Sequence, residues 1–424
     1  MKPGATLPEA QRILLLTGTA PIPHGVGGIF LHDLAGFLPQ GTLSVAHVAD
    51  AAGGGRSVTP NGDPMLMLSV PYQRRPVSRW GKPGRLLDWL RMTRANRRSL
   101  AQGVRDCVAY ARSQQVSEIW SVLDTPASIA MAAPVAEALG LPLRALVWDD
   151  IEHNVGYFGL DRFTANASRR SFEQAIQRAD SLAVIGETMQ AEYQRRYGKR
   201  GVIVRHGADE AAFEGVKPTA DGPIRIGFAG SVSARSAFQC LLGALDRLDW
   251  AIAGRAITLV LMGQRFDLRS DLPRRIECLG YQRSIEDVLG VLSGCTINYL
   301  PQPFEASWRP FSELSFPSKL TTYLAAGAPI LLHAPSHASL PAFFAQHPFG
   351  ALCDVLDADT LAQSLQRLCF DDALRVAAQT AGSRALAEDF SVARFRASFA
   401  EFIGLDLGAD FVEATPPCAA SPAS

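Results

Sequence analysis

The sequence has no CxxC pair, no Cys/His cluster at metal-ligand spacing, and no apolar run near the roughly 18 residues that a membrane span needs. The first two absences argue against a zinc or redox dithiol site, and the third against an integral membrane protein. The seven cysteines (Cys107, Cys240, Cys278, Cys295, Cys353, Cys369 and Cys418) mostly sit in apolar runs such as Ile276-Glu277-Cys278-Leu279. That setting predicts reduced, buried thiols. Net charge is also missing: 41 basic side chains meet 41 acidic ones, so the molecule as a whole has no electrostatic case for nucleic acid. The N-terminal MKPGATLPEAQR lacks an apolar signal core, and the first apolar run, Ile13–Leu16, has only a strand's length. A cytoplasmic location is expected.

What is present is a chain of 424 residues, 47% apolar, longer than one hydrophobic core usually serves. Short apolar runs alternate with helix-length segments, the pattern of parallel sheets with crossover helices. Strands are expected at Arg12–Leu16, Thr42–Val48, Met65–Val70, Ile119–Val122, Leu143–Trp148, Ser181–Ile185 and Val202–Val204. Helices are expected at Gly28–Phe37, at Pro126 onward (capped by Thr125 and stopped by Gly140) and at Ser168–Ala179. A turn-rich break follows, and a second series begins with strands at Ile224–Ala229, Ile257–Met262, Arg275–Leu279, Thr296–Leu300, Pro329–His333 and Ala351–Asp354. Its helices read at Ala237–Leu248, Ile285–Leu292, Lys319–Ala326, Thr360–Leu368, Asp372–Ala387 and Val392–Ile403.

The expectation is an α/β protein of two Rossmann-like, doubly wound parallel-sheet domains facing a cleft. The first spans 1–212, a linker 213–223, and the second 224–390. A last helix, 391–404, crosses back to the first domain. The Pro/Ala/Ser-rich end, 405–424, reads as a disordered tail.

In such domains ligands meet the carboxyl ends of the strands, so residues just after strands carry the chemistry. Three segments qualify. Pro21-Ile-Pro-His-Gly-Val-Gly-Gly28 joins the first strand to the first helix and lets backbone N–H groups approach an anion or a hydroxyl-rich ligand. It also fits an ordinary loop, and Gly25, Gly27 and Gly28 do not have GxGxxG spacing, which weakens a nicotinamide-dependent dehydrogenase. Gly227-Phe-Ala-Gly-Ser231 ends the second domain's first strand, and the nearby Arg235 suits a diphosphate. Phe316-Pro-Ser-Lys-Leu-Thr-Thr-Tyr-Leu-Ala-Ala-Gly-Ala-Pro-Ile330 puts Lys319 in the first turn of a short helix that Gly327 ends. A lysine there opposes the helix dipole unless an anion sits beside it.

This last segment resembles the "P-S-K-x-x-E-Y-x-A-x-G-x-P" signature of retaining GT-B glycosyltransferases of the family 4 type. Ala179-Asp-Ser-Leu-Ala-Val-Ile-Gly-Glu-Thr-Met, His206-Gly-Ala-Asp209 and the segment from Leu279-Gly-Tyr281 are similar to further motifs of that family, over residues 12–404. The resemblance implies transfer of a sugar from a nucleotide-sugar co-substrate to a glycan or lipid-linked acceptor, with retention and without a metal or other cofactor. It places donor contacts at Gly230, Ser231, Gly263, Tyr281, Pro317, Ser318, Thr322 and Gly327, with Lys319 and Arg235 on the departing diphosphate. Acceptor contacts fall on His24, Gly25, Gly27 and Gly28. Asp149 and Asp150, in Trp148-Asp-Asp-Ile-Glu-His153, would bind a donor hydroxyl or the acceptor nucleophile; a helix-capping role fits them equally.

Three positions depart from the pattern. Thr322 stands where the signature has glutamate, Leu314 where an earlier glutamate falls (Glu313 and Glu305 lie nearby), and Ser236 where lysine is common. Two rivals therefore stay open: a nucleotide-sugar 2-epimerase, and a catalytically silent sugar-binding or scaffold protein.

One charge asymmetry stands apart. Between Arg74 and Arg112 there are 11 basic residues and two acids, Asp88 and Asp106, interleaved with Trp80, Leu86, Leu87, Trp89, Leu90 and Met92. A basic amphipathic stretch of this kind suits peripheral contact with an anionic membrane through Arg74–Arg98, or a solvated helix packed on its domain.

Overall fold

A computed structural model describes residues 11–50, 55–72, 81–208, 222–231, 234–263, 275–282 and 284–405. Most of the expected linker, the tail after residue 405, and Arg74, Arg75, Arg79 and Trp80 lie outside these described residues.

The first sheet comprises β1 (Ile13–Thr17), β2 (Leu43–Ala49), β3 (Gly55–Val58), β4 (Pro64–Ser69), β5 (Glu118–Val122), β6 (Leu143–Val147), β7 (Ser181–Val184) and β8 (Val202–Ile203). Its order is β3-β4-β2-β1-β5-β6-β7-β8, parallel except for the β3–β4 pair. The second comprises β9 (Ile224–Ala229), β10 (Ala251–Ile252), β11 (Arg255–Met262), β12 (Ile276–Gly280), β13 (Ile297–Pro301), β14 (Ile330–His333) and β15 (Gly350–Cys353). Its order is β10-β11-β9-β13-β14-β15, with β12 also on β11 and only β10 antiparallel. Strand order reverses beside β1 in one sheet and beside β9 in the other. At such a switch point the connecting loops part and leave a crevice for ligand.

Local chemistry accounts for the elements. All five residues of β1 are buried, which is why it reads as an unbroken apolar run. The helix Pro126–Leu139 starts on a reciprocal cap: Thr125 Oγ1 accepts from the Ser128 N–H, and Ser128 Oγ accepts from the Thr125 N–H. It ends at Gly140, whose φ of 67° closes the last turn. The last helix, Val392–Ile403, leaves the second sheet and packs on the first. Phe395, Phe399, Phe402 and Ile403 share a core with Ile13, Leu15, Trp120 and Val122. Burying these four side chains is worth about 6–12 kcal/mol before entropy is counted, at roughly 1.5–3 kcal/mol each.

One expectation changes in the folded chain, and one open reading gains detail. Cys278 is exposed, because β12 pairs only with β11 and leaves its last residues at the sheet's edge. The basic stretch lies largely in a 33-residue helix, Gly81–Ser113, and not all of its apolar residues face outward. Met92 is buried and Trp89 meets the Phe163 ring at 4.9 Å with the rings tilted, while Leu87 and Leu90 stay half exposed beside the exposed Arg91, Arg94, Arg97 and Arg98. A helix 3.6 residues per turn sends alternate parts of one basic segment to core and to solvent. Among the described residues, no helix is long and apolar enough to cross a membrane.

Candidate functional site

The second domain's switch point is built from glycine turns. Gly230 follows β9 with φ 108°, and Gly263 follows β11 with φ 116°, conformations that side chains rarely adopt. Gly230 N–H donates to the Met262 carbonyl and Gly263 N–H to the Gly280 carbonyl. A Cβ on Gly263 would stand 2.6 Å from the Gly230 carbonyl oxygen, and one on Gly230 would stand 2.7 Å from Lys319 Cε. Bare backbone is therefore what lets the Lys319 stem lie along the turn.

Lys319 belongs to the helix Lys319–Ala325 and reaches back across the sheet ends. Its Nζ donates to the Ser231 carbonyl at 3.0 Å and lies 4.4 Å from the centre of the Phe228 ring. A carbonyl and a ring face are weak company for an ammonium. Burial holds its pKa down to about 8, from the usual 10.5. Lys319 is an under-paired cation at a strand-end crevice.

Around it opens a cavity of about 500 Å³ between the two domains. From the first domain come His24, Gly25, Gly27, Gly28, Phe30, Trp148 and Asp149; from the second, Ser231, Gln302, Pro317, Ser318, Lys319 and Thr321. The domains meet beside it. The short helix Arg309–Leu314 lays Phe311 4.8 Å from His153, and Leu314 enters the core around Ile151 and Tyr193. Ser315 Oγ then donates to Asp149 Oδ1 at 2.6 Å. Thr321 Oγ1 donates to the His206 carbonyl at 3.4 Å, a second bond across the boundary.

Eight sequence-selected residues line this cavity: His24, Gly25, Gly27, Gly28, Asp149, Ser231, Pro317 and Ser318, with Lys319 as the ninth. Gly230 and Gly263 are not in the lining; Gly230 packs against the Lys319 stem and Gly263 against Gly230. Others lie elsewhere. Asp150 is fully buried: it caps the helix Ile151–Tyr157 through the Glu152 N–H and binds Tyr193 Oη at 3.0 Å and Arg196 at 3.1 Å. Its carboxylate is thus spent on structure, not on ligand. Arg235 is exposed and does not line the cavity, and the first turn of its helix, Arg235–Arg247, is met by a protein carboxylate: Glu305 Oε1 accepts from the Ser236 N–H at 3.2 Å. Tyr281 is 83% exposed, away from the lining. Thr322 sits about 100° round the helix from Thr321, and Thr321 is the one on the wall. Gly327, φ 72°, closes that helix without reaching the cavity.

Arg205 was not selected from the sequence. It is 7% exposed, pairs with Glu187, and lies 4.0 Å over the Phe316 ring at the cavity edge. Nor were Ser315 and Gln302, each following a helix or strand end that a positional rule could have flagged. Gln302 is 1% exposed, and its side-chain amide has no hydrogen-bond partner among the described residues.

No protein-family model matches the chain, and no curated protein matches it in sequence. Solved structures do match. Sucrose-phosphate synthase from Thermosynechococcus elongatus superposes with TM-score 0.63 at 16% identity, over 93% of this chain and 98% of that one. HepE of Anabaena, solved with UDP and glucose, gives 0.62 at 13%, over 93% and 100%. An α,α-trehalose-phosphate synthase (UDP-forming) from Burkholderia xenovorans, solved with glucose-6-phosphate, gives 0.62 at 10%, over 92% and 100%. The chain has the GT-B fold. Its cavity is the GT-B interdomain cleft, and both switch points open onto it.

Proposed function

We propose that the chain is a glycosyltransferase that moves a sugar from a nucleotide-sugar donor to a hydroxyl acceptor. The observation that carries this reading is Lys319, an ammonium that among the described residues has only a carbonyl and a ring for company, placed at the strand-end crevice of a GT-B cleft. As the glycosidic bond breaks, negative charge grows on the leaving diphosphate, and a cation already fixed there lowers the barrier without reorganising. In this reading Lys319 supplies the charge that a metal ion supplies elsewhere, Ser231, Pro317 and Ser318 hold the donor, and Asp149 meets the acceptor or a donor hydroxyl. Retention follows the resemblance: the acceptor attacks from the leaving group's face, with no carboxylate nucleophile.

The structural relatives solved with UDP make UDP the first probe. The test is UDP release from UDP-glucose with and without an acceptor panel. A second reading, binding without turnover, is favoured by Thr322 and Leu314 at positions where the resemblance calls for glutamate. UDP binding with no release under any acceptor would select it; no UDP binding would remove both.

We further infer that the basic segment Arg74–Arg98 meets an anionic membrane surface, as part of a cytoplasmic, peripheral location. Support comes from exposed Arg91, Arg94, Arg97 and Arg98 beside half-exposed Leu87 and Leu90. Each basic residue near such a surface contributes about 1 kcal/mol. Co-sedimentation with phosphatidylglycerol but not phosphatidylcholine vesicles is expected, lost in R94E/R97E/R98E; equal binding to both lipids would sink it.

A further inference from the structure

One stretch of the cleft's first-domain half is walled by carbon, between the polar Thr19, His24, Asp149, Arg205 and His206. Val26, at the start of the helix Val26–Gly36, is 70% exposed to the cavity side, and Phe30, Trp148 and Ile185 continue the wall. Phe30 packs edge-on to Trp148 at 6.0 Å and against Phe395 at 5.4 Å. Phe311 and Pro303 face it from the second domain. An exposed valine with aromatic neighbours loses little by meeting water alone and gains by being covered.

The cations along the cavity are already allocated. Lys319 stands on the second domain's side at the Ser231 carbonyl, and in the proposed reading the donor diphosphate takes it. Arg205 is paired with Glu187, donates Nε–H to the Ile185 carbonyl at 3.1 Å, and is stacked on Phe316. His206 Nε2 lies 2.6 Å from Asp33 Oδ2. His24 is the remaining basic ring, in the exposed turn at the mouth. Asp149 adds a negative charge to the wall itself. A phosphate dianion brought to this half would shed water and meet the Asp149 carboxylate, and the two bases that line it, Arg205 and His206, already have carboxylate partners.

We propose that the acceptor is an uncharged hydroxyl compound with an alkyl or aryl body beside its reactive hydroxyl, and not a sugar phosphate. The inference rests on reading the cleft as a site of glycosyl transfer, and the experiment separates the two. The full chain is titrated calorimetrically with UDP, and then, with and without UDP, with glucose, glucose-6-phosphate and octyl β-glucoside below its micelle concentration. UDP binding alone tests the cleft reading. The ranking of the three sugars tests the acceptor class: octyl glucoside should bind at least tenfold more tightly than glucose, and glucose-6-phosphate no more tightly than glucose. In Val26→Arg, with melting and UDP binding unchanged as the check on folding, the alkyl advantage should disappear and glucose-6-phosphate should gain at least tenfold. A wild-type protein that prefers glucose-6-phosphate, or for which the octyl chain adds nothing, overturns the proposal.

Discussion

Replacing Lys319 by methionine should separate stability from function. The side chain keeps its length and its contact with the Phe228 ring, and only the ammonium is lost. In the unliganded protein that ammonium has one carbonyl at 3.0 Å and a ring face for partners, and burial pulls its pKa to about 8. The unfolded chain, with the ordinary lysine pKa, binds the extra proton between pH 8 and 10.5, so this residue makes stability rise with pH across that window. Below pH 8 the folded protein carries a charge it holds poorly. The variant is therefore expected to melt within about 2 °C of the wild type or above it, and to lose the pH-dependent rise. Turnover should behave oppositely. One charge-assisted contact to the leaving diphosphate is worth about 2–4 kcal/mol, or roughly a 30- to 900-fold loss in kcat/KM. UDP affinity of the wild type should fall as pH climbs past 8, where the ammonium is lost, and that of the variant should be low and flat. Scanning calorimetry with and without UDP at pH 7 and 9, beside UDP release from UDP-glucose, reads all of these. A variant that keeps turnover, or that keeps the pH dependence of UDP binding, would refute the assignment of this cation to the donor.

Asp149→Ala and Asp150→Ala should split in the same manner. The first is expected to melt normally and lose turnover; the second breaks the buried contacts to Tyr193 and Arg196 and should cost about 3–5 kcal/mol in urea unfolding. Truncation after Glu388 removes Phe395, Phe399, Phe402 and Ile403 from the first domain's core, and hydrogen exchange in β1 and β5 should speed up; unchanged protection there would refute the packing argument. His333 is fully buried and burial pushes its pKa to about 4, below the usual 6.5. The unfolded chain binds the proton first, so its contribution is complete above pH 6.5 and is lost toward pH 4, about 3 kcal/mol in all. His333→Gln should flatten that part of the stability–pH curve relative to wild type.

The sequence alone determined the alternation of strands and helices, because buried parallel strands must be apolar throughout and crossover helices must be amphipathic. It also determined features whose physics is local. Thr125, Pro126 and Gly140 bound a helix by capping, initiation and left-handed closure within a few residues. The glycines after β1 and β9, and Lys319 after Pro317-Ser318, could be placed at strand and helix ends without knowing what faced them. Short helices with no strong period, such as Ile151–Tyr157, Glu187–Tyr197 and Ser339–Gln346, were not legible, since their apolar faces are set by neighbours from distant sequence.

Tertiary structure decided everything that depends on direction. Asp149 and Asp150 are adjacent and chemically identical, yet one turns into the cleft and the other into the core, because Tyr193 and Arg196 stand on only one side. Thr321 faces the cavity and Thr322 does not, a matter of one helical step. Cys278 is exposed because its strand took the sheet's edge, and Trp89 is half-buried because Phe163, from a distant helix, lies against it. The Ser315–Asp149 bond joins residues 166 apart, and pairing across that span arises only when two independently readable domains close on each other.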